Sequence, residues 1–293
     1  MPGISLRPSK RGLFYFFKME HPYRHLYVYL LEGKVKETYQ DTFGKDFIGC
    51  WIEGEYSFLF FTSPSKQKVL QFISKRDKLR LIDQYHFSYE QWHGEEIRPF
   101  RVGKLLIVPP WNNVGEGIKI VIDPGVVFGT GLHSTTKDCL KAIQYLIEIE
   151  RFRDVIDLGT GSGILAIASA VLGAHKVIAV DNNPLAVSTA KRNVLLNHLE
   201  DRVSVFKGMA QEFIWKKADL ILSNLHYEVI RDIVEMKEAL KDKRWIILSG
   251  LFRSEARDIK NRLKMSGFSV KREWDFDSIW HTLLLRNMCD GSS

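Results

Sequence analysis

Seven consecutive residues, Asp157-Leu158-Gly159-Thr160-Gly161-Ser162-Gly163, and one acid, Asp181, could do recognisable chemistry. They read as the strand end, glycine turn and ribose-binding acid of a nucleoside site in an α/β domain. Asp181 stands 22 positions after Gly159. A dinucleotide site places glycines at relative positions 0, 2 and 5, the spacing that suits a pyrophosphate. Here they fall at 0, 2 and 4, and position 5 is Ile164. The loop therefore suits a nucleoside cofactor without a phosphate, for which close backbone approach is enough. Gly159 and Gly161 provide that approach. Asp157 is placed to meet the amino end of the ligand, and Asp181 to accept both ribose hydroxyl hydrogens.

A second constellation runs from Asp123-Pro124-Gly125 through Phe128-Gly129-Thr130-Gly131-Leu132-His133-Ser134-Thr135-Thr136, just ahead of a helical stretch at 137–147. Backbone donors and hydroxyls at a helix start suit a polar ligand. Its plain reading is a glycine-rich loop with an ordinary threonine cap. His133 can assist proton removal or orient a target, although a lone histidine is more often structural. A third, Asn224-Leu225-His226-Tyr227, ends a strand. Asn224 fits a target-side role or a helix cap, and His226 a substrate contact or an exposed bystander.

These residues need elements to position them. Val155–Leu158 reads as a strand and Ile164–Leu172 as an apolar helix, followed by a strand at Lys176–Val180 that ends in Asp181. Asn183 can cap a helix that begins at Pro184 and runs to about Leu199. Strands are expected at Val203–Lys207, Leu220–Asn224 and Trp245–Gly250. Helices are expected at Tyr227–Leu240 and at Glu255–Met265, the latter capped by Ser254. Phe268–Trp274 and Trp280–Arg286 follow with no helix between them, so they must pair as a hairpin. Upstream, residues 20–88 alternate in the order β-α-β-β-α-β, which predicts a small ferredoxin-like domain. Lys34–Phe43 is its first helix. Ser65–Lys75 is its second, with Val69, Leu70 and Ile73 at helical spacing. Glu53-Gly54 is a hairpin turn. Residues 88–103 read as a connector whose Tyr89, Trp92 and Ile97 share an apolar side.

The chain has 293 residues, 45% hydrophobic and 26% charged, as expected of a soluble globular protein. No apolar run approaches the roughly 18 residues of a membrane helix. Leu13–Phe17 is too short for a signal peptide and lacks a small-residue cleavage site. A cytoplasmic location is expected. Cys50, Cys139 and Cys289 are far apart and form no Cys-x-x-Cys pair, which favours free buried thiols over disulfides or zinc. The net charge of +7 is concentrated at the start: residues 1–18 carry Arg7, Lys10, Arg11 and Lys18 with no acid. From Met19, itself a candidate start, 38 basic residues face 35 acidic ones. That near-balance argues against a nucleic-acid face.

The Asp-x-Gly-x-Gly-x-Gly loop resembles that of S-adenosylmethionine-dependent methyltransferases, and a parallel sheet closed by an antiparallel hairpin is their variant of the Rossmann-like fold. More specifically, the chain resembles the PrmA family, bacterial enzymes that methylate ribosomal protein eleven of the large subunit. The resemblance is carried by Asp123-Pro124-Gly125, Phe128-Gly129-Thr130-Gly131-x-His133-x-Thr135-Thr136, the loop Asp157–Gly163 and Asn224-Leu225. Pro109-Pro110-Trp111 and Trp280-x-x-Leu283 fit as well. The match is good from about Ile107 onward and weaker from Tyr23.

The resemblance implies S-adenosyl-L-methionine as cofactor, with contacts at Thr136, Gly159, Asp181 and Asn224, and His133 lining the target entrance. Asp157, Gly161, Phe128 and Thr130 join the cofactor set, and Asn224 and His133 form the catalytic pair. No metal is expected. The implied organisation is a basic tail (1–18), a substrate-recognition domain (19–88), a linker (89–103) and a class I methyltransferase domain (104–293). The implied reaction is methyl transfer to lysine and α-amino groups of a ribosomal protein, by a monomer. His226-Tyr227 and the basic tail are not family features, which bears on the acceptor. The rival readings are methylation of RNA or of a different protein, and a non-catalytic cofactor sensor.

Overall fold

The computed structural model describes residues 24–288 apart from Glu95 and Asn113, and the side chains of all of these but Gln40 and Asp41. The basic tail, the aromatic cluster Phe14–Phe17, Met19 and Cys289 lie outside the described residues.

The first unit contains β1 (His25–Glu32), β2 (Phe47–Glu53), β3 (Tyr56–Phe61), α1 (Lys66–Ile73) and β4 (Arg80–Ser88). Its sheet runs β2-β3-β1-β4, antiparallel throughout, which is the expected ferredoxin-like order. Strand alternation sends Tyr29, Leu31, Leu59 and Phe61 to one face, where Val69 and Phe72 of α1 cover them. Two expectations shift here. The first helix is a 3-10 segment, Glu37–Phe43, because its two threonines and two aromatic residues favour helix weakly. In α1, Phe72 takes the inward place and Leu70 is 42% exposed.

The other face of this sheet is not open. Leu26, Val28 and Phe60 pack on Tyr89 of α2 (Tyr89–His93), on Ile97, and on Val126, Val127, Leu185 and Ala186 of the following domain. Gly49 touches Leu185 so closely that any Cβ there would collide with it.

Next comes a small sheet that the sequence did not announce. β5 (Phe100–Val102) pairs antiparallel with β6 (Leu105–Val108), and β6 pairs parallel with β7 (Ile118–Val121). Gly103, expected to end the linker, and Lys104, expected to open the methyltransferase domain, form the turn of that first hairpin.

The large domain then follows. Its elements are α3 (Ser134–Ile149), β8 (Asp154–Leu158), α4 (Ile164–Val171), β9 (Lys176–Asp181) and α5 (Pro184–Leu196). They continue with β10 (Val203–Lys207), α6 (Ala210–Phe213), β11 (Leu220–Asn224), α7 (Tyr227–Glu235) and α8 (Lys237–Leu240). The last are β12 (Trp245–Phe252), α9 (Arg253–Met265), β13 (Phe268–Phe276) and β14 (Trp280–Asn287). The seven-stranded sheet runs β10-β9-β8-β11-β12-β14-β13. Its first five strands are parallel, and the terminal hairpin inserts β14 antiparallel beside β12. Central strands such as β11 and β12 are covered on both faces, so Leu220–Leu222 and Trp245–Leu248 read as continuous apolar runs. Helix α4 is apolar all round because seven of its eight residues are buried.

The expected single helix 227–240 is broken at Met236, which leaves helical geometry at ψ 59°. At α9 the expected Ser254 cap is replaced. The helix starts two residues earlier, at Arg253, and Glu255 Oε2 accepts from Phe252 N at 2.7 Å.

Candidate active site

The carboxyl ends of β8, β9 and β11 present the glycine loop, Asp181 and Asn224 to one cleft, as open parallel sheets do. Asp181 is held by its surroundings. Its Oδ2 accepts from Gly161 N at 3.0 Å and its Oδ1 from Asn183 N at 2.9 Å. Burial raises its carboxyl above the ordinary value, opposed by those backbone donors. Asn183 in turn caps α5 through Leu185 N at 3.0 Å, as expected.

Gly161 has φ +55°, and a Cβ there would sit 2.7 Å from the Phe128 carbonyl oxygen. That is why the two loops can lie backbone to backbone. Ser162 locks them further: its N–H donates to Phe128 O at 3.1 Å and its hydroxyl to Gly129 O at 2.6 Å. Beneath them, buried Asn193 donates to Ser162 O and Asp123 O and accepts from Asp123 N. Asp123 also accepts from Tyr89 OH at 3.1 Å and pairs with Arg192 at 3.0 Å. The Asp123-Pro124-Gly125 motif is thus a junction between the connector, the first loop and α5.

Two cavities meet at Asp181. The smaller, about 100 Å³, is lined by Gly159, Val180, Met209, Gln211, Leu225 and Val229 among others. The larger, about 430 Å³, has Phe128, Gly161, Asn183, Leu225 and His226 on one side. Its other side comes from the first unit: Glu37, Cys50, Trp51 and Ile52. Asp181, Asn182 and Leu225 belong to both. Neither cavity is lined by a lysine or arginine among the described residues; Asp181 supplies negative charge, while Glu37 pairs with Lys207. A phosphate-bearing ligand would find no cation in either lining among the described residues. A positively charged nucleoside cofactor suits the lining.

A polar chain borders the target side. Asn224 Nδ2 donates to Thr135 Oγ1 at 3.2 Å and lies 3.5 Å from Thr136 Oγ1. The Thr135 hydroxyl is 2.7 Å from His133 Nδ1, which also accepts from Thr135 N at 3.3 Å. Because Nδ1 accepts from a backbone N–H, the neutral ring carries its proton on Nε2. Burial and the charge of Lys137 hold the His133 pKa below its ordinary value. Phe128 and Trp280 each meet this ring edge-on at 5.6 Å between centroids.

The predicted residues therefore fall into groups. Gly159, Gly161, Asp181 and Phe128 line the cavities. Asn224, Thr136 and His133 share one hydrogen-bonded cluster, with Thr136 only 1% exposed. Asn224 does not cap α7, whose N-cap position is His226. Thr130 turns its hydroxyl onto Leu132 N at 3.1 Å, within its own loop. Asp157 lines neither cavity: it is 1% exposed, accepts from Thr160 Oγ1 at 2.6 Å, and burial pushes its carboxyl up to about 7. Sequence reasoning missed Glu37, Trp51 and Ile52, which no motif marks, and Met209 and Gln211, which sit on the short unforeseen helix α6 and at its edge. Cys50 and Cys139 are free and buried, and burial pushes the Cys50 thiol up to about 12, so it stays protonated. No helix among the described residues is long and apolar enough to cross a membrane.

Comparison with known proteins shows the family. The family model described as ribosomal protein L11 methyltransferase (PrmA) matches residues 65–287. A ribosomal protein L11 methyltransferase of Staphylococcus haemolyticus is 37% identical over 255 residues, 82% of this chain and 80% of that protein. One of Heliobacterium modesticaldum is 36% identical over 180 residues, 60% of this chain but only 56% of that relative. The crystal structure of a ribosomal protein L11 methylase from Lactobacillus delbrueckii subsp. bulgaricus superposes with a TM-score of 0.58 at 28% identity. That superposition covers 65% of this chain and 98% of the other. With most of its length matched by one family model, the chain belongs to the ribosomal protein L11 methyltransferase (PrmA) family.

Proposed function

We propose that the chain is a cytoplasmic S-adenosylmethionine-dependent protein N-methyltransferase whose acceptor is protein eleven of the large ribosomal subunit. The observation that carries the reading is the cleft at Asp181, joined through Phe128 to the Asn224–Thr135–His133 cluster. The residues present fit the cofactor. Asp181 retains lone pairs for ribose hydroxyls, and the slot between Leu225, Val229 and Met209 suits a flat base. Gly159 completes the cradle, and buried Thr136 accepts from Asn224 Nδ2. Asp157, beneath the loop, responds to the positive amino end.

When bound, S-adenosylmethionine supplies an electrophilic methyl carbon, whose bond to sulfur breaks as a substrate nitrogen attacks. The chain's own residues bind, orient and desolvate. A lysine amine, with a pKa near about 10.4, must arrive neutral. The apolar entrance formed by Phe128, Leu225 and Trp280 disfavours its charged form. Asn224 Nδ2 is committed to Thr135, which fixes the amide and leaves Oδ1 to accept a hydrogen from the amine. His133, with Nδ1 occupied, acts as an orienting donor through Nε2 rather than as the base. The proton leaves to solvent.

The testing experiment is incubation with labelled S-adenosylmethionine and hypomethylated ribosomal proteins, read by intact mass. The expected result is protein eleven gaining whole multiples of one methyl mass. Label confined to RNA or to other proteins rejects the assignment.

A further inference from the structure

The line of aromatic rings at the target side does not end at Trp280. Its indole stacks on Phe252 at 4.6 Å between centroids, 25° from parallel. Phe252 is 47% exposed and forms one wall of an open recess of about 460 Å³, separate from the cofactor cleft. The remaining walls are Arg253, Ser254 and Arg257 of α9, with Ser278 and Ile279 of the β13–β14 turn. Ile279 is 51% exposed.

Arg253 and Arg257 are four residues apart, so they share a helix face. Their neighbours on α9 are engaged: Arg262 pairs with Asp258 and Glu235, and Lys260 with Glu273. Arg253 and Arg257 form no ion pair among the described residues. The nearby carboxylates of Glu255 and Asp275 are turned to backbone, on Phe252 N and Ser278 N. Two uncommitted guanidinium groups beside two exposed apolar side chains make a receptor for one carboxylate with an apolar neighbour. An RNA backbone fits less well. It would bring a row of charges past Glu255, Asp275 and Asp277 and find only two cations.

We propose that this recess docks an acidic segment of the protein acceptor and feeds the adjoining residues along Trp280 to the reaction centre. This rests on the methyl-transfer reading. From the His133 ring to the Phe252 ring is at most roughly 10 Å by way of Trp280, two ring steps. At ~3.3 Å per extended residue that spans about three residues. The acidic residue thus lies within a few positions of the methylated amine.

The test uses the full chain. A fluorescein-labelled peptide carrying Leu-Asp-Glu, and its Leu-Asn-Gln counterpart, are titrated by fluorescence polarisation against the wild type, R253E/R257E and R253K/R257K. The acidic peptide is expected to bind the wild type, and at least tenfold more weakly the charge-reversed variant. The lysine pair should keep most of the affinity, and the neutral peptide should lose it. In parallel, R253E/R257E should raise the acceptor KM about tenfold, with kcat and cofactor affinity within twofold of wild type. Equal binding of both peptides overturns the proposal. So does an unchanged KM, or stronger competition by oligouridylate than by the acidic peptide. Peptide binding without any methylation of protein eleven by the wild type would reject that acceptor instead, and leave the carboxylate recess standing.

Discussion

The two walls of the cofactor cleft are made of different material. One wall is backbone: the glycine loop, the Phe128–Gly129 strand of chain beside it, and the carboxyl ends of β8, β9 and β11. The other is side chains delivered by the first unit: Glu37, Trp51 and Ile52. A backbone wall demands particular residues, because only glycine fits where φ is positive and another chain passes within contact. A side-chain wall demands only shape and charge, which many residues satisfy. The first should therefore fail sharply on substitution and the second gradually.

The largest effect is expected at Gly161. Valine there would hold a β-branched residue at φ +55° with its Cβ against the Phe128 carbonyl. Cofactor binding should vanish in titration calorimetry; near-normal affinity would mean the wall is less rigid than described. Asn224→Ala comes next. It should lower kcat on the order of 100-fold, as loss of one placed polar group at a reacting centre does. Its cofactor affinity should change much less. Equal losses in both would move Asn224 from the target side to the cofactor side.

Trp51→Ala probes the opposite wall. Cofactor affinity should fall about tenfold or less, worth at most ~1.4 kcal/mol. A loss as large as that of the Gly161 variant would erase the contrast between the walls.

A pH measurement sharpens it further. Burial holds the Asp157 carboxyl at about 7 against an ordinary 3.8. Without cofactor the folded protein therefore holds this proton to a higher pH than the unfolded chain does. The stability this gives is full below about pH 4 and lost as pH rises through about 7. Asp157→Asn should flatten that slope in thermal unfolding without cofactor. An unaltered slope would place the pH response elsewhere. The smallest effect belongs to the exposed Glu37–Lys207 pair across the cleft. Lys207→Ala should cost less than about 1 kcal/mol in the same assay.

The same contrast explains what the sequence disclosed. Gly161, Asp181 and the Asn183-Pro184 helix start are local signals: each residue type is dictated by its own backbone, and spacing reveals it. The terminal hairpin was legible because two strand patterns with no helix between them have one short-range solution. Trp51 was not legible, because its place on the cleft depends on how one sheet docks on Leu185 and Val127, far away in sequence. Helix ends were read less well where two polar neighbours compete. Ser254 has the better capping chemistry, yet Glu255 reaches back and the helix begins two residues earlier. The sheet face that RNA-binding relatives of the ferredoxin-like fold would expose is covered by Tyr89, Val126 and Leu185, which no strand pattern announces.

The insertion of β14 between β12 and β13 has a kinetic consequence. Trp280 reaches His133 only when a strand from late in the chain has threaded beside β12, across a very long stretch of sequence. Contacts of such separation form slowly, because the entropy of closing the loop is lost before any contact forms to offset it. During refolding, the nucleoside pocket at β8 and β9 should assemble from neighbouring segments first. The target side would then be the last part of the molecule to mature, and a folding intermediate could hold cofactor before it is able to use it.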